Sequence, residues 1–163
     1  METWHLDTAV VTVVYIVAFS ALGLAVREDQ RSGQLPNIYT STITLSALVG
    51  FAIASLLGPS QYRIGAMATG VALFCGPWLV AHLISPSAIG FGDIKLSLGL
   101  GAHLGWVGIQ APATALMATF VVFAVQILVR GRPFSQTLPF GPALAAGALI
   151  GGVVDVIQPG WFT

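Results

Sequence analysis

The sequence predicts an all-α, polytopic membrane protein, with about six transmembrane helices in one bundle. Three observations carry this. The 163 residues are 56% hydrophobic and only 7% charged, with a mean hydropathy of +0.88, whereas a soluble domain is about 25% charged. Such a chain cannot cover a water-facing surface. Its apolar runs are of membrane-spanning length and are separated by short polar or Gly/Pro-containing breaks. Five of its six basic residues fall on one side of the spans those runs define. Residues 1–163 read as a single transmembrane domain, with no tandem repeat and no linker. Six basic residues balance six acidic ones, so there is no nucleic-acid footprint. The single cysteine, Cys75, excludes an intrachain disulfide and a cysteine zinc site, and reads as packing.

The first span is Thr8 to Val26, with Trp4 ahead of it as an interfacial anchor. The residues before it carry Glu2 and Asp7 and no Lys or Arg, which is the wrong sign for a signal-peptide n-region. A polar interruption follows, from Arg27 to Asn37. Pro36 disfavours helix at the residue before it, so a new element is expected near Asn37, giving a second span of about Ile38 to Leu57. Gly58-Pro59-Ser60-Gln61 is a turn, and the third span is about Ile64 to Ile84. The fourth begins at Asp93 or Ile94, after Gly90 and Gly92, and ends near Ile109. Its Gly101 and Gly105 have the small-xxx-small spacing of close helix contacts. Pro112 breaks the chain, and the fifth span is about Ala113 to Val129. A basic loop from Arg130 to Gln136 precedes the sixth span, about Phe140 to Ile157, and Trp161 and Phe162 suit an interfacial end.

Six spans put both termini on one side. With the termini outside, Arg27, Arg31, Lys95, Arg130 and Arg132 lie inside and only Arg63 outside. That is the positive-inside bias, and it places Asp29 and Asp93 together at the cytoplasmic face.

An acid at the edge of a hydrocarbon layer costs a few kcal/mol and marks a functional position by default. The two glycines are expected to let the backbone turn just before a helix, with Asp93 at its N-terminus. For Asp93 alone, a helix cap and a functional acid both stand. Asp29 at the same membrane face opens a third reading. Paired carboxylates that share a proton are the machinery of aspartic proteolysis, one activating water and the other polarising the carbonyl. Solvated loop acids remain the alternative.

These residues resemble the type IV prepilin leader peptidases, membrane aspartyl proteases of the GxGD class. Gly90-Phe91-Gly92-Asp93-Ile94-Lys95 is similar to the family's Gly-x-Gly-Asp-x-Lys pattern. Asp29 stands seven residues before Pro36 of Leu35-Pro36-Asn37, as the family's first aspartate does. Pro139-Phe140-Gly141-Pro142 resembles the segment that opens the family's last helix. The resemblance covers essentially the whole chain. It implies an aspartic endopeptidase that cleaves the basic leader of a prepilin or pilin-like protein, after a glycine, at the cytoplasmic membrane face. Asp29 and Asp93 would be catalytic. Gly90, Gly92, Lys95, Pro36, Asn37, Pro139, Gly141 and Pro142 would be motif or positioning residues. No metal or organic cofactor is implied.

The chain departs from the fuller family pattern in two ways. Many members add an N-terminal methyltransferase domain with two Cys-x-x-Cys pairs. With one cysteine, this chain resembles the short, peptidase-only form found with Flp/Tad pili, and methyltransferase activity is not expected. The residue before the first aspartate is Glu28 rather than an apolar one, which makes it a rival acid whose spacing to Pro36 is off by one. Lys95 reads either as a site-positioning residue or as a snorkelling helix-end lysine. His5, His82 and His103 lie at different depths, and no metal cluster is expected. The other functional readings are a GxGD protease with non-pilin membrane substrates and a non-enzymatic protein that binds cations at the two acids. Partners are thus a pilin-like substrate and the bilayer, with no nucleic acid.

Overall fold

The computed structural model describes residues 3–57, 63–86, 89–130 and 139–157. They form helices α1 (Thr3–Ser32), α2 (Asn37–Leu57), α3 (Arg63–Ile84), α4 (Phe91–Val107), α5 (Ala111–Arg130) and α6 (Gly141–Ile157), and no strand occurs among the described residues. The protein is a multi-pass membrane protein. Four of the helices, α1, α2, α3 and α5, are long and apolar enough to cross a membrane, and α6 is a shorter apolar helix. Their outer faces carry large exposed apolar side chains, such as Ile16, Leu56, Leu83 and Leu128. Burial is reversed in a membrane: these faces meet lipid, and polar atoms need partners inside the protein.

Helix α4 is the centre of the bundle. It packs against α2, α3, α5 and α6, and its residues from Ser97 to Trp106 are buried except Leu98. Its 17 residues make a rod of about 26 Å, a little short of a hydrocarbon core of about 30 Å. Protein rather than lipid surrounds it, which removes the need for a fully apolar surface. Contact with α3 is made backbone to backbone. A Cβ on Gly105 would collide with the Ala66 carbonyl oxygen and stand 2.7 Å from Met67 Cα, and one on Gly101 would lie 2.9 Å from the Gly70 oxygen. The expected close contact at Gly101 and Gly105 is therefore present, with α3 as its partner.

Several boundaries differ from the sequence expectations. Helix α1 does not stop at Val26 but continues through the charged residues to Ser32. Charge ends the contact with lipid, not the hydrogen-bonding of the backbone. The helix is ended instead by Gly33, the one described residue with positive φ (66°), whose N–H donates to the Asp29 carbonyl at 2.9 Å. Helix α2 starts at Asn37, directly after extended Pro36, as the proline implies. It contains an unforeseen π-helical turn at Ser46–Gly50, where Gly50 receives the Val14 side chain of α1. Helix α4 begins at Phe91, two residues before Asp93, and ends at Val107 rather than Ile109. Pro112 lies inside the first turn of α5 and does not break it, because an N-terminal turn has no acceptor for the missing N–H. The Gly58–Gln61 turn, the loop from Gly131 to Gln136, and Trp161 and Phe162 lie outside the described residues.

The α3–α4 seam has a direct test. Gly105→Val should destabilise the protein by about 1–3 kcal/mol through overpacking, or prevent its accumulation. Gly65→Ala, where a Cβ meets nothing within 4 Å, should leave the thermal unfolding temperature in detergent micelles unchanged or slightly raised.

Candidate active site

The buried residues of α1 are Val14, Ala18, Ala21, Leu22, Ala25 and then Asp29, which is 5% exposed. This is one helical face at a spacing of three and four, so the stripe that packs the helix delivers the carboxylate into the bundle. Glu28 is only half-buried, and Gln30 and Arg31 are exposed. The geometry thus separates Asp29 from its neighbouring acid.

Helix α6 supplies the partner. The Gly141 N–H donates to Asp29 Oδ2 at 3.0 Å in a buried setting. Gly141 is the first residue of that helix, so the carboxylate lies at an N-terminus, where the helix dipole favours negative charge. A Cβ on residue 141 would stand 2.7 Å from Oδ2, and only glycine allows this approach. Pro142 follows at a position where an N–H is dispensable. The Phe140 carbonyl accepts from Ala143 and Leu144 at 3.0 and 3.2 Å. Pro139 and Phe140 are half-buried ahead of the helix.

Asp93 comes from the other side. It is the third residue of α4, half-buried, with its own N–H donating to the Gly90 carbonyl at 3.0 Å. It is not the cap; Gly90 is, in an extended conformation (φ −67°, ψ 146°). Neither Gly90 nor Gly92 has positive φ, so backbone freedom is not why they are glycines. Space is: a Cβ on Gly90 would lie 3.2 Å from Asp93 Oδ2, and one on Gly92 3.0 Å from Leu35 Cβ. The motif's glycines let a carboxylate and the Leu35-Pro36-Asn37 segment approach the backbone. Asp93 Oδ1 is buried and has no hydrogen-bond partner.

Two polar links fix this end of the bundle. Lys95 Nζ donates to Asn37 Oδ1 at 2.8 Å and lies 5.0 Å from the Phe91 ring centre. Lys95 therefore joins the first turns of α4 and α2. His82 Nδ1 lies 2.8 Å from the Ile89 carbonyl oxygen and must carry the proton there, because a carbonyl only accepts. It ties the end of α3 to the segment before Gly90. No sequence pattern links His82 to this partner, which lies seven positions further along the chain. His103 is buried in the middle of α4, with Nδ1 on the Gly99 carbonyl at 2.8 Å, and belongs to packing.

Asp29 and Asp93 are close enough for the charge of one to act on the other. Two carboxylates sharing a poorly solvated space do not both ionise readily and tend to share a proton. A cavity of about 350 Å³ lies elsewhere, between α1, α4 and α6, lined by apolar groups with Tyr15 and His103, and it includes none of the motif residues.

A family model for the type IV leader peptidase family matches residues 16–131. The chain belongs to the type IV leader peptidase family. Among curated relatives, a prepilin leader peptidase/N-methyltransferase of Burkholderia pseudomallei (strain K96243) is 37% identical over 122 residues, covering 73% of this chain and 39% of the relative. A protein of the same description from Dickeya chrysanthemi is 32% identical over 137 residues, 82% of this chain and 47% of the relative. One from Aeromonas hydrophila is 36% identical over 116 residues, 66% of this chain and 39% of the relative. The chain spans less than half the length of these relatives. No solved structure matches it significantly. Pro139 to Leu144, the segment that meets Asp29, lies past the residues matched to the type IV leader peptidase model.

The contact between Asp29 and Gly141 is testable without an activity. Gly141→Ala should destabilise the fold by about 1–3 kcal/mol. Combined with Asp29→Ala, it should cost clearly less than the two single changes added together, because the group the new methyl collides with is gone. Unfolding of the four proteins in one detergent gives the coupling.

Proposed function

We propose that the chain is a membrane aspartic endopeptidase that removes the leader of type IV prepilins or pilin-like proteins, with Asp29 and Asp93 as its paired acids. The observation that carries this is the delivery of both acids to one end of the bundle. Asp29 is buried on the α6 N-terminus, and Asp93 lies within reach of its charge. The family membership supports the substrate class, and the proposal takes up only the peptidase half of the relatives' description. Residues 1–163 act in it as one transmembrane peptidase domain.

The chemistry needs one proton between two carboxylates. The ionised one takes a proton from water as the oxygen attacks the scissile carbonyl, while the protonated one donates a hydrogen bond to the carbonyl oxygen. The tetrahedral intermediate collapses when the leaving amine takes up a proton, and the carboxylates return to their shared state. Gly90, Gly92, Pro36, Asn37, Lys95, Pro139, Gly141 and Pro142 hold the two acids in position. The excess of basic residues on one side supports a site at the cytoplasmic face with both termini outside.

Cleavage of a prepilin in membranes tests the reading. Asp29→Asn and Asp93→Asn should each lower the rate by about 10²–10⁴-fold or more at matched expression, and Glu28→Gln should retain activity. Loss only in Asp93→Asn and Glu28→Gln would move the first acid to Glu28. Wild-type protein that cleaves no pilin-like substrate but cuts another membrane protein through the same aspartates would fix a different substrate class. Aspartate-dependent cation uptake without proteolysis would establish the non-enzymatic alternative.

Orientation has its own measurement. A thiol placed by Ile109→Cys, between α4 and α5, should react with a membrane-impermeant maleimide on intact cells. One placed by Ser32→Cys should react only after permeabilisation. The reverse pattern would put the site outside.

A further inference from the structure

Two buried side-chain atoms among the described residues have no hydrogen-bond partner: Asp93 Oδ1 and Trp78 Nε1. One only accepts when ionised and the other only donates. Leaving either unpaired away from water costs about 1–3 kcal/mol, and such orphans call for a functional or structural explanation. Trp78 is 4% exposed, so water does not satisfy it.

The helix register brings the two to the same level. α3 and α4 run antiparallel, with Gly70 against Gly101 on the seam and His82 bonded to Ile89 at the turn. The same register places Trp78 at the level of Asp93 along the bundle. One turn back along α3, the Cys75 sulfur lies 3.6 Å from the Ile94 carbonyl oxygen. Trp78 also sits beside the other acid's anchor. Its ring packs at 4.9 Å from that of Phe140, the residue before the Gly141 that holds Asp29. The Phe120 ring is on it at 5.0 Å. Trp78 belongs to the same core cluster as Leu96 and Leu144, with Val26, Ile89 and Phe140 packed against it.

We infer that Trp78 is a positioning residue for Asp93: a small rotation of either side chain lets its indole N–H donate to Oδ1, and this bond, present before substrate arrives, holds the acid for water and substrate. Asp29 has a backbone donor in the Gly141 N–H, and Asp93 gains a donor from a side chain. The packing of Trp78 between Phe120 and Phe140 lets it report the state of the α6 N-terminus to the α4 acid.

The kinetic arm rests on the peptidase reading, and a second arm does not. Trp78→Phe keeps an aromatic ring between Phe120 and Phe140 and removes only the donor. It should lower kcat about tenfold or more with KM unchanged. A folded variant with wild-type kcat would overturn the inference. In uniformly ¹⁵N-labelled wild-type protein, the Trp78 indole resonance can be assigned through its contacts with the Phe120 and Phe140 rings. It should move upfield in Asp93→Asn, since a charge-assisted bond is lost, and should be restored in Asp93→Glu. The same resonance position in wild type and Asp93→Asn would equally overturn it, even if Trp78→Phe does not fold. Failure of wild-type protein to cleave any prepilin would end the substrate reading and leave the resonance result intact.

Discussion

A carboxylate buried among hydrocarbon must be held by the chain itself, and Asp29 is held by the N-terminus of α6. Much of the local architecture is a condition for that one bond. Helix α1 must continue past its lipid-facing part, through Arg27 and Glu28, for the buried stripe to reach position 29. Helix α6 must start at the level where α1 ends. Its first residue must lack a Cβ, because the carboxylate oxygen occupies that space. Its second can be proline, because no acceptor waits there. The sequence Phe140-Gly141-Pro142 is what remains when a helix N-terminus has to accept an acid at 3.0 Å.

The second condition is the placement of α4. A helix in the middle of a membrane bundle gains no hydrophobic driving force from its neighbours, so close van der Waals packing holds it. The contact of Ala66 and Gly70 with Gly101 and Gly105 supplies this for α3. Once that seam is fixed, the start of α4 is fixed, and Asp93 with it. His82 and the Lys95–Asn37 pair then stop the first turn from drifting, one from the α3 side and one from α2. The exposed Lys95–Asn37 hydrogen bond adds little stability by itself. Its consequence is geometric, since it ties the glycine motif to the Leu-Pro-Asn motif.

Hydropathy and turn residues made the six helices legible, and the spacing to Pro36 singled out Asp29 over Glu28. Of these two acids, Asp29 is the one the α1 stripe buries. What hydropathy reports is contact with lipid, so it ended α1 at Val26, where the lipid ends, rather than at Gly33, where the backbone turns. The roles of Gly90 and Gly92 were misassigned for a related reason. A glycine in a sequence signals freedom or space, and only the positions of Leu35 and the Asp93 carboxylate decide for space. The π turn of α2 has no local signature in Ser46–Gly50. The Lys95–Asn37 bond spans 58 positions, and no periodicity encodes it. Trp78 reads as packing in any apolar run, and it becomes notable only when its nitrogen is found buried without a partner.

The dipoles at the site are arranged unequally, and the arrangement bears on proton sharing. Asp29 belongs to the last turn of α1, where its own helix presents a negative end that disfavours a carboxylate. The α6 N-terminus offsets this. Asp93 belongs to the first turn of α4, where its own helix already favours negative charge. Each acid thus has one helix N-terminus directed at it, but Asp29 also bears the opposing end of α1. Moving a proton from one carboxylate to the other during a reaction requires that neither hold it too firmly. On the peptidase reading, the α1 C-terminus counteracts the firm backbone bond to Asp29, and the unpaired oxygen of Asp93 counteracts the favourable end of α4. In each environment one feature favours the charge and another opposes it, which suits a pair that must exchange roles as acid and base.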